Sequence, residues 1–301
     1  ISQLKLYEDN KKIIKKYFHL GYSPERINPS DKKNKLVNTK KIISGSSIKA
    51  IELVKYIYKK IIKAGVHETK EIVEAESAKL LENIQRDCNI SIINEYSVIM
   101  KKLDIDFKNV LEASATKWNF NKLVPGLVGG HCLAVDPYYL IYKSNTKNYL
   151  PKIISTCRKF NHDFYKDIVL RIKQLSLKKL KKFNKLKILV MGISYKENCP
   201  DIRNSQILKI INKLNKAKNS VHVLEPQIIA KNLDKISKKN KFKILKEQEQ
   251  KNIKFDLILY CLNHDKFKNY NIKKLNSFLK NNGIIFDLTQ RFNSKDVDEK
   301  I

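Results

Sequence analysis

The chain has 301 residues, 42% of them hydrophobic, which is enough for two domains of about 100–200 residues each and too apolar for disorder throughout. It carries 61 Lys and Arg against 30 Asp and Glu, a net charge of +31, but only six of the bases are Arg and the lysines are spread along the whole chain, so the guanidinium forks that read base edges are scarce and nucleic acid is not an expected partner. No apolar run approaches the roughly 20 residues that span a bilayer, and Ile1-Ser2-Gln3-Leu4-Lys5 lacks a signal core, so a protein without membrane association is expected.

Taken in chain order, residues 1–65 read as an incomplete piece. His19–Pro24 ends a strand and enters a turn, and Ile48–Ile62 has helical periodicity. One strand and one or two helices cannot bury a core alone. Residues 66–182 read as mostly helical. Glu71–Met100 places Ile72, Ala75, Leu80, Ile84, Cys88 and Ile92 at helical spacing, without Gly or Pro. Asp106–Ala113 is a shorter helix and Pro151–Lys182 another long one. Such helices, apolar over much of their surface, predict a homodimer interface.

Residues 183–301 change character. Lys187–Gly192, Val221–Leu224, Phe255–Cys261 and Gly283–Leu288 are strands, and Ser205–Leu214 is a helix between two of them. This alternation predicts a doubly wound parallel sheet, with ligands at the carboxyl ends of the strands. The loops after Met191, Leu224 and Cys261 therefore form the expected binding edge. The fold class is α/β: a Rossmann remnant, a central all-helical region and a carboxyl-terminal parallel-sheet domain.

Of only eight glycines, Gly126, Gly129 and Gly130 fall within five residues, which implies close backbone approach or positive φ. Cys132 follows them, ahead of a helix expected near Asp136-Pro137, whose end amides would favour a thiolate. The five cysteines (88, 132, 157, 199, 261) include no C-x-x-C pair, so no metal site or disulfide framework is expected and reduced thiols in the cytoplasm fit better. Asp136 reads either as a partner of Cys132 or as an N-cap before Pro137. Lys79 and Asn83, four apart, share one helix face; such a pair is a substrate contact or simply a solvated face. Glu76 and Glu82 read as exposed partners, Glu25 as a loop carboxylate after Pro24, and Lys196 and Arg203 as loop cations suited to phosphate or carboxylate.

At this point Gly126–Leu140, with its form Gly129-Gly130-His131-Cys132 and Val135-Asp136-Pro137-Tyr138-Tyr139, resembles the active-site loop of the UDP-glucose/GDP-mannose dehydrogenase family. With Thr116-Lys117-Trp118-Asn119-Phe120 before it, the loop is similar to the bacterial branch of the Vi polysaccharide type, which oxidises UDP-N-acetylhexosamines. Gly21–Pro29 with Ser23-Pro24-Glu25-Arg26, Glu76–Asn83, and Lys187–Gly192 with Lys196–Ser205 match three further family motifs in order. The resemblance implies an NAD-dependent oxidoreductase that converts the 6-OH of a UDP-N-acetylhexosamine, or a UDP-hexose, to the uronate for surface polysaccharide. Two hydride transfers would pass through a thiohemiacetal and a thioester on Cys132. It implies oxyanion stabilisation by Lys79 and Asn83, proton transfer by Asp136 with Lys79, and activation of water by Glu25. It further implies substrate contacts at Gly129, Gly130, Tyr138 and Lys196, and cofactor contacts at Arg203 and Glu25. His131 is not assigned as a base.

The family opens with a glycine-rich G-x-G-x-x-G turn that cradles the NAD pyrophosphate, and none occurs in this sequence. The resemblance thus implies residues 1–65 as the end of the NAD-binding domain, 66–182 as the helical dimerisation and catalytic domain, and 183–301 as the UDP-sugar domain. A fragment beginning inside the first domain is expected, with a remnant that binds nucleotide sugar without turnover as the alternative. Val124 stands where relatives carry a base, and Glu225 replaces an Asp before Pro226.

Overall fold

The computed structural model describes residues 18–27, 33–246 and 253–301; the expectations on Ile1–Lys5 and on Asn28-Pro29 of the Gly21–Pro29 segment lie outside the described residues. In chain order the elements are β1 (Gly21–Tyr22), β2 (Lys41–Gly45), α1 (Ile48–Ile61), β3 (Val66–Glu68), α2 (Ile72–Lys102), α3 (Phe107–Ser114), α4 (Asp136–Asn145), α5 (Lys152–Leu180), β4 (Lys187–Met191), α6 (Gln206–Lys216), β5 (Ser220–Leu224), α7 (Ala230–Asn240), β6 (Lys243–Ile244), β7 (Phe255–Tyr260), α8 (Ile272–Asn276), β8 (Leu279–Asp287) and β9 (Glu299–Lys300). They divide between two compact units, residues 1–85 with 136–150, and residues 86–135 with 151–301.

The first unit is built on a three-stranded sheet in the order β1-β2-β3, with β2 antiparallel to β1 and parallel to β3. Strand β2 is buried along its whole length. Ser47 starts α1 by accepting the Ala50 amide on its Oγ at 3.2 Å, which satisfies one of the orphan donors at the helix start. Sequence periodicity did not reveal β2 and β3. Five and three residues are too short for alternation to register, and β2 opens on a lysine that is itself buried.

The second unit carries a six-stranded, wholly parallel sheet in the order β6-β5-β4-β7-β8-β9. Numbered within this sheet, that order is 3-2-1-4-5-6, the doubly wound arrangement whose direction of progression reverses between the first and fourth strands. Successive residues of a strand point to opposite faces. Ile188, Val190, Leu257, Leu259 and Phe286 therefore meet α5 and α6, while Leu189, Met191, Ile258, Tyr260 and Ile285 pack on Phe267, Tyr270 and Phe278. With both faces covered, β7 reads Phe-Asp-Leu-Ile-Leu-Tyr and is buried throughout.

The expected α/β class and parallel sheet are therefore present. Element ends differ: α6 continues to Lys216, and β8 begins at Leu279 rather than Gly283. Helix α7 was not anticipated because its sequence is nearly all polar, with Leu233 its sole buried apolar residue. Among the described residues no helix is long and apolar enough to cross a membrane.

Candidate active site

In the second unit the sheet reverses progression between β4 and β7, and the chain leaves β4 through Gly192 at φ +86°. A Cβ there would lie 2.8 Å from the Leu262 Cβ and 3.2 Å from His264 Nε2, so only glycine lets the two strand ends approach this closely. The loop that follows is held from behind. Glu225, at the end of β5, accepts the Ile193 amide at 2.7 Å and the Ser194 amide at 3.3 Å on Oε2, and the Gln227 amide at 2.8 Å on Oε1. His264 is fully buried beside Glu225 at 3.6 Å and accepts the Asn198 amide on Nδ1 at 2.9 Å. Burial pushes the Glu225 carboxyl up, but His264 and the Ile193 and Gln227 amides outweigh it and hold the group below the usual carboxylate range.

The glycine-framed loop docks on this one. The Gly130 amide donates to the Arg203 carbonyl at 2.9 Å, and Asn204 Nδ2 donates to the Gly130 carbonyl at 2.9 Å. Gly130 has φ +85°, and a Cβ on it would lie 2.7 Å from Tyr195 Cε2. The same contacts bring the Arg203 backbone to the residues just before Cys132, and Lys196 Nζ lies 5.5 Å from the centroid of the Tyr195 ring. A cavity of about 180 Å³ is lined by Pro125, Gly126, Gly129, Tyr195, Glu197, Gln206 and Leu262 among others. Expected substrate contacts Gly129, Gly130 and Lys196 thus come together with Cys132 and Arg203 in one unit.

Cys132 is the exposed thiol of the five. Burial, reinforced by Cys157, pushes Cys88 up to about 12, and burial raises Cys261 well above the usual thiol value, so both are inert thiols at neutral pH. Tyr195 is also raised to about 12, by burial first and then by Cys199 and Asp201. Arg203 forks onto Asp201, with Nε 2.9 Å and Nη2 2.6 Å from Oδ2. That pairing raises Arg203 and lowers Asp201, and Cys132 lies within electrostatic range of the guanidinium.

In the first unit Asn83 Nδ2 donates to Asp136 Oδ2 at 2.5 Å. Lys79 lies one turn before Asn83 on α2, with Nζ 4.0 Å from Glu82. Asp136 opens α4, and Tyr138 is half exposed two residues on. Glu25 is well exposed, its Oε1 accepting the Ile27 amide at 2.6 Å and its Oε2 lying 3.7 Å from Lys41 Nζ. Glu76 and Glu82 are not exposed partners as expected. Both are half buried; Glu82 pairs with Arg26 at 2.7 Å, and Glu76 faces Tyr22 closely enough to raise its phenol, after burial. The helix face that carries Lys79 and Asn83 is therefore packed rather than solvated.

Sequence reasoning did not single out Asp87, Asn94, Arg158 and Asn161, all buried. Asp87 and Asn94 are seven apart on α2, on a buried face that also carries Ser91 and Ser97 while Ile92 is exposed, and Arg158 and Asn161 are three apart on α5. A buried face made of polar residues gives no apolar periodicity by which to find it. Lys41, buried with Nζ on the Pro24 carbonyl at 2.7 Å, was missed too; burial lowers it, with Glu25 opposing. Among the described residues no cluster of His, Cys, Asp and Glu could hold a metal ion.

Residues 73–163 match the central domain of the UDP-glucose/GDP-mannose dehydrogenase family, and residues 189–294 match that family's UDP binding domain. The chain is 39% identical over 271 residues to UDP-N-acetyl-D-glucosamine 6-dehydrogenase of Salmonella typhi, covering 90% of this chain and 63% of that protein. It is 39% identical over 287 residues to protein CapL of Staphylococcus aureus, covering 95% of this chain and 66% of that one. The solved UDP-N-acetyl-mannosamine dehydrogenase Cap5O of S. aureus superposes with a TM-score of 0.76 at 29% identity, over 98% of this chain and 69% of that structure. The chain thus spans a little under two thirds of the curated relatives it matches. With the glycine-framed cysteine loop, the parallel sheet it docks on and both domain matches in hand, the chain belongs to the UDP-glucose/GDP-mannose dehydrogenase family.

Proposed function

We propose that the protein acts in the NAD-dependent oxidation of the 6-OH of a UDP-N-acetylhexosamine to the uronate, with Cys132 as nucleophile. The observation that carries this reading is the exposed Cys132 on a loop fixed through Gly130 to the Tyr195–Arg203 segment. That segment leaves the strand end of a UDP-binding-type domain where ligands of doubly wound sheets collect.

In this reading the thiolate of Cys132 adds to the C6 aldehyde carbon, and the resulting alkoxide takes a proton to give the thiohemiacetal. Lys79 and Asn83 stabilise that oxyanion, the lysine by charge and the amide by N–H donation. Asp136, whose carboxylate already holds Asn83, exchanges protons with Lys79. Glu25 takes a proton from the water that attacks the thioester, and cleavage of the C–S bond returns the thiolate. Lys196 and the backbone of Gly129 and Gly130 contact the substrate, and Tyr138 contacts the sugar. NAD, when bound, supplies the hydride acceptor for both two-electron oxidations. The chain's residues fit the charged edge of that cofactor: the largely exposed Arg203 guanidinium suits a diphosphate, and the exposed Glu25 carboxylate suits a ribose hydroxyl.

The apolar groove of about 370 Å³ lined by Val98, Phe160 and Phe164, with Ile92 and Ile153 exposed on the same two helices, supports a homodimer formed through α2 and α5. A nucleophilic thiol fits a reducing compartment, the cytoplasm. The test is calorimetric titration with UDP-N-acetylglucosamine, UDP-glucose and UDP, alongside NADH formation. Binding with turnover that Cys132→Ser abolishes supports the reading. Binding without NADH formation favours a nucleotide-sugar-binding role. Full turnover by Cys132→Ser removes the nucleophile, and no binding of any uridine nucleotide removes the function.

A further inference from the structure

Buried charge is expensive. A desolvated ion pair often stabilises no more than apolar residues of the same volume, so one retained in a core calls for a reason in what it orders. Arg158 on α5 and Asp87 on α2 are such a pair, 2% and 1% exposed, with Arg158 Nη1 2.7 Å from Asp87 Oδ1. The pair is not fully satisfied: Arg158 Nε and Asp87 Oδ2 are buried without a hydrogen-bond partner among the described residues. Stability alone is a poor account of it.

Its other contacts lead to the cysteine loop. The same Arg158 Nη1 donates to the carbonyl of Leu133, the residue after Cys132, at 2.9 Å. Asn161, almost one turn along α5, donates its Nδ2 to the Asp87 carbonyl at 2.7 Å and to Oδ1 at 2.8 Å, and accepts from Asn94 Nδ2 at 3.0 Å. Asn94 in turn takes both backbone groups of Gly126, the amide on Oδ1 at 2.8 Å and the carbonyl from Nδ2 at 3.0 Å. One continuous polar chain therefore runs from Gly126 at the start of the loop, through the helix pair, to Leu133 just past the thiol.

The loop is also fixed on its other side, where Gly130 exchanges hydrogen bonds with Arg203 and Asn204. Cys132 thus lies between two anchored points, Gly130 and Leu133, and the Val135 amide closes a turn onto its carbonyl at 3.0 Å. With the backbone so held, rotation about χ1 is the main freedom left to the Sγ atom.

We propose that Arg158 is a positioning residue for Cys132, acting through the Leu133 carbonyl, with Asp87, Asn161 and Asn94 as the network that holds it. This deepens the reading of Cys132 as nucleophile and rests on it. The test needs neither cofactor nor sugar. Alkylation of the purified chain by iodoacetamide is followed across a pH series by peptide-resolved mass spectrometry, with glutathione as internal standard and Cys199 as the control for general loosening. In Arg158→Met the Cys132 rate relative to Cys199 changes by about threefold or more and its pH profile is displaced; Arg158→Lys, which keeps a cation against Asp87, returns it toward wild type. Should Arg158→Met lose its cooperative melt, Arg158→Lys combined with Asn94→Ala is measured in its place. A Cys132 to Cys199 ratio and pH profile unchanged from wild type would overturn the proposal, as would equal acceleration of both thiols. Full turnover by Cys132→Ser would remove the nucleophile while leaving this readout intact, so the two failures are told apart.

Discussion

Replacing Gly130 by alanine isolates what the glycine contributes to the cysteine loop. Two costs follow from its geometry. At φ +85° a Cβ meets its own backbone, worth about 1–2 kcal/mol for an L-residue in left-handed conformation. The same Cβ would stand 2.7, 2.8 and 3.1 Å from three atoms of the Tyr195 ring, and forcing a packed ring aside typically costs about 1–3 kcal/mol. Gly130→Ala is therefore expected to destabilise by about 2–5 kcal/mol, or roughly 4–20 °C in the melting midpoint at about 2–4 °C per kcal/mol. The two parts separate in a double-mutant cycle with Tyr195→Ala, which removes the ring but not the backbone strain. The expected coupling is about 1–3 kcal/mol in favour of the double mutant. Denaturant melts of the four proteins measure it. An additive cycle, or a Gly130→Ala change within about 0.5 kcal/mol of wild type, would refute the argument that Tyr195 and Gly130 close this loop face to face.

Two further outcomes concern buried titratable groups. His222 lies on β5 against Phe255, and burial first, then Lys187 and Lys243, lowers it below 6.5. Its folded value lies below its unfolded one, so its stabilisation is complete above about pH 6.5 and is lost as pH falls toward the folded value, at up to about 1.4 kcal/mol for each pH unit between the two. Wild type should lose more stability than His222→Gln between pH 7.5 and 5.5 in denaturant melts; equal losses would contradict the burial account. Glu225→Gln removes the charge that receives the Ile193, Ser194 and Gln227 amides and should cost about 1.5–3 kcal/mol at pH 7. Because the folded carboxyl lies below 4.5, that cost should fade as pH drops below 4.5. UDP affinity measured by calorimetry should weaken as well if the 193–198 loop carries the ligand.

Four of the six strands of the second unit's sheet were legible because apolar runs such as Lys187–Met191 and Phe255–Tyr260 need no partner to be recognised, whereas β6 and β9, two residues each and mostly lysine or glutamate, were not anticipated. The order of the strands was not legible, since parallel pairing joins residues as distant as Leu189 and Ile258. In the site, the cluster of Gly126, Gly129 and Gly130 pointed to close approach, and Gly130 does meet Tyr195. Nothing local revealed which side chain it met. Lys79 and Asn83 were legible as a pair by spacing, yet the face they share turned out packed, with Glu82 on Arg26, because a contact across 56 positions leaves no periodic trace. The buried polar residues were the least legible. Periodicity ranks positions by apolarity, so the buried α2 face of Asp87, Ser91, Asn94 and Ser97, and Arg158 and Asn161 opposite it, rank as surface.

Two buried charges of the second unit have a shared logic. Two loops carry the residues proposed for chemistry and substrate in the second unit, and neither has regular structure to hold it. Each is instead backed by a buried charge that takes backbone groups: Arg158 takes the Leu133 carbonyl, and Glu225 takes the Ile193 and Ser194 amides. Each charge has a buried partner, Asp87 in one case and His264 in the other. A strand or helix would satisfy the same backbone groups more cheaply, but only in an extended or coiled path that leaves little room for a glycine at φ +85° and an exposed thiol two residues later. The polar network allows an irregular path to be as fixed as a regular one. On that argument the stability forgone by burying charge is the condition for a loop that is both irregular and rigid. Replacing Arg158 and Asp87 together by apolar residues of matched volume should leave the unit as stable or more so while loosening Cys132, whereas removing either charge alone should destabilise it.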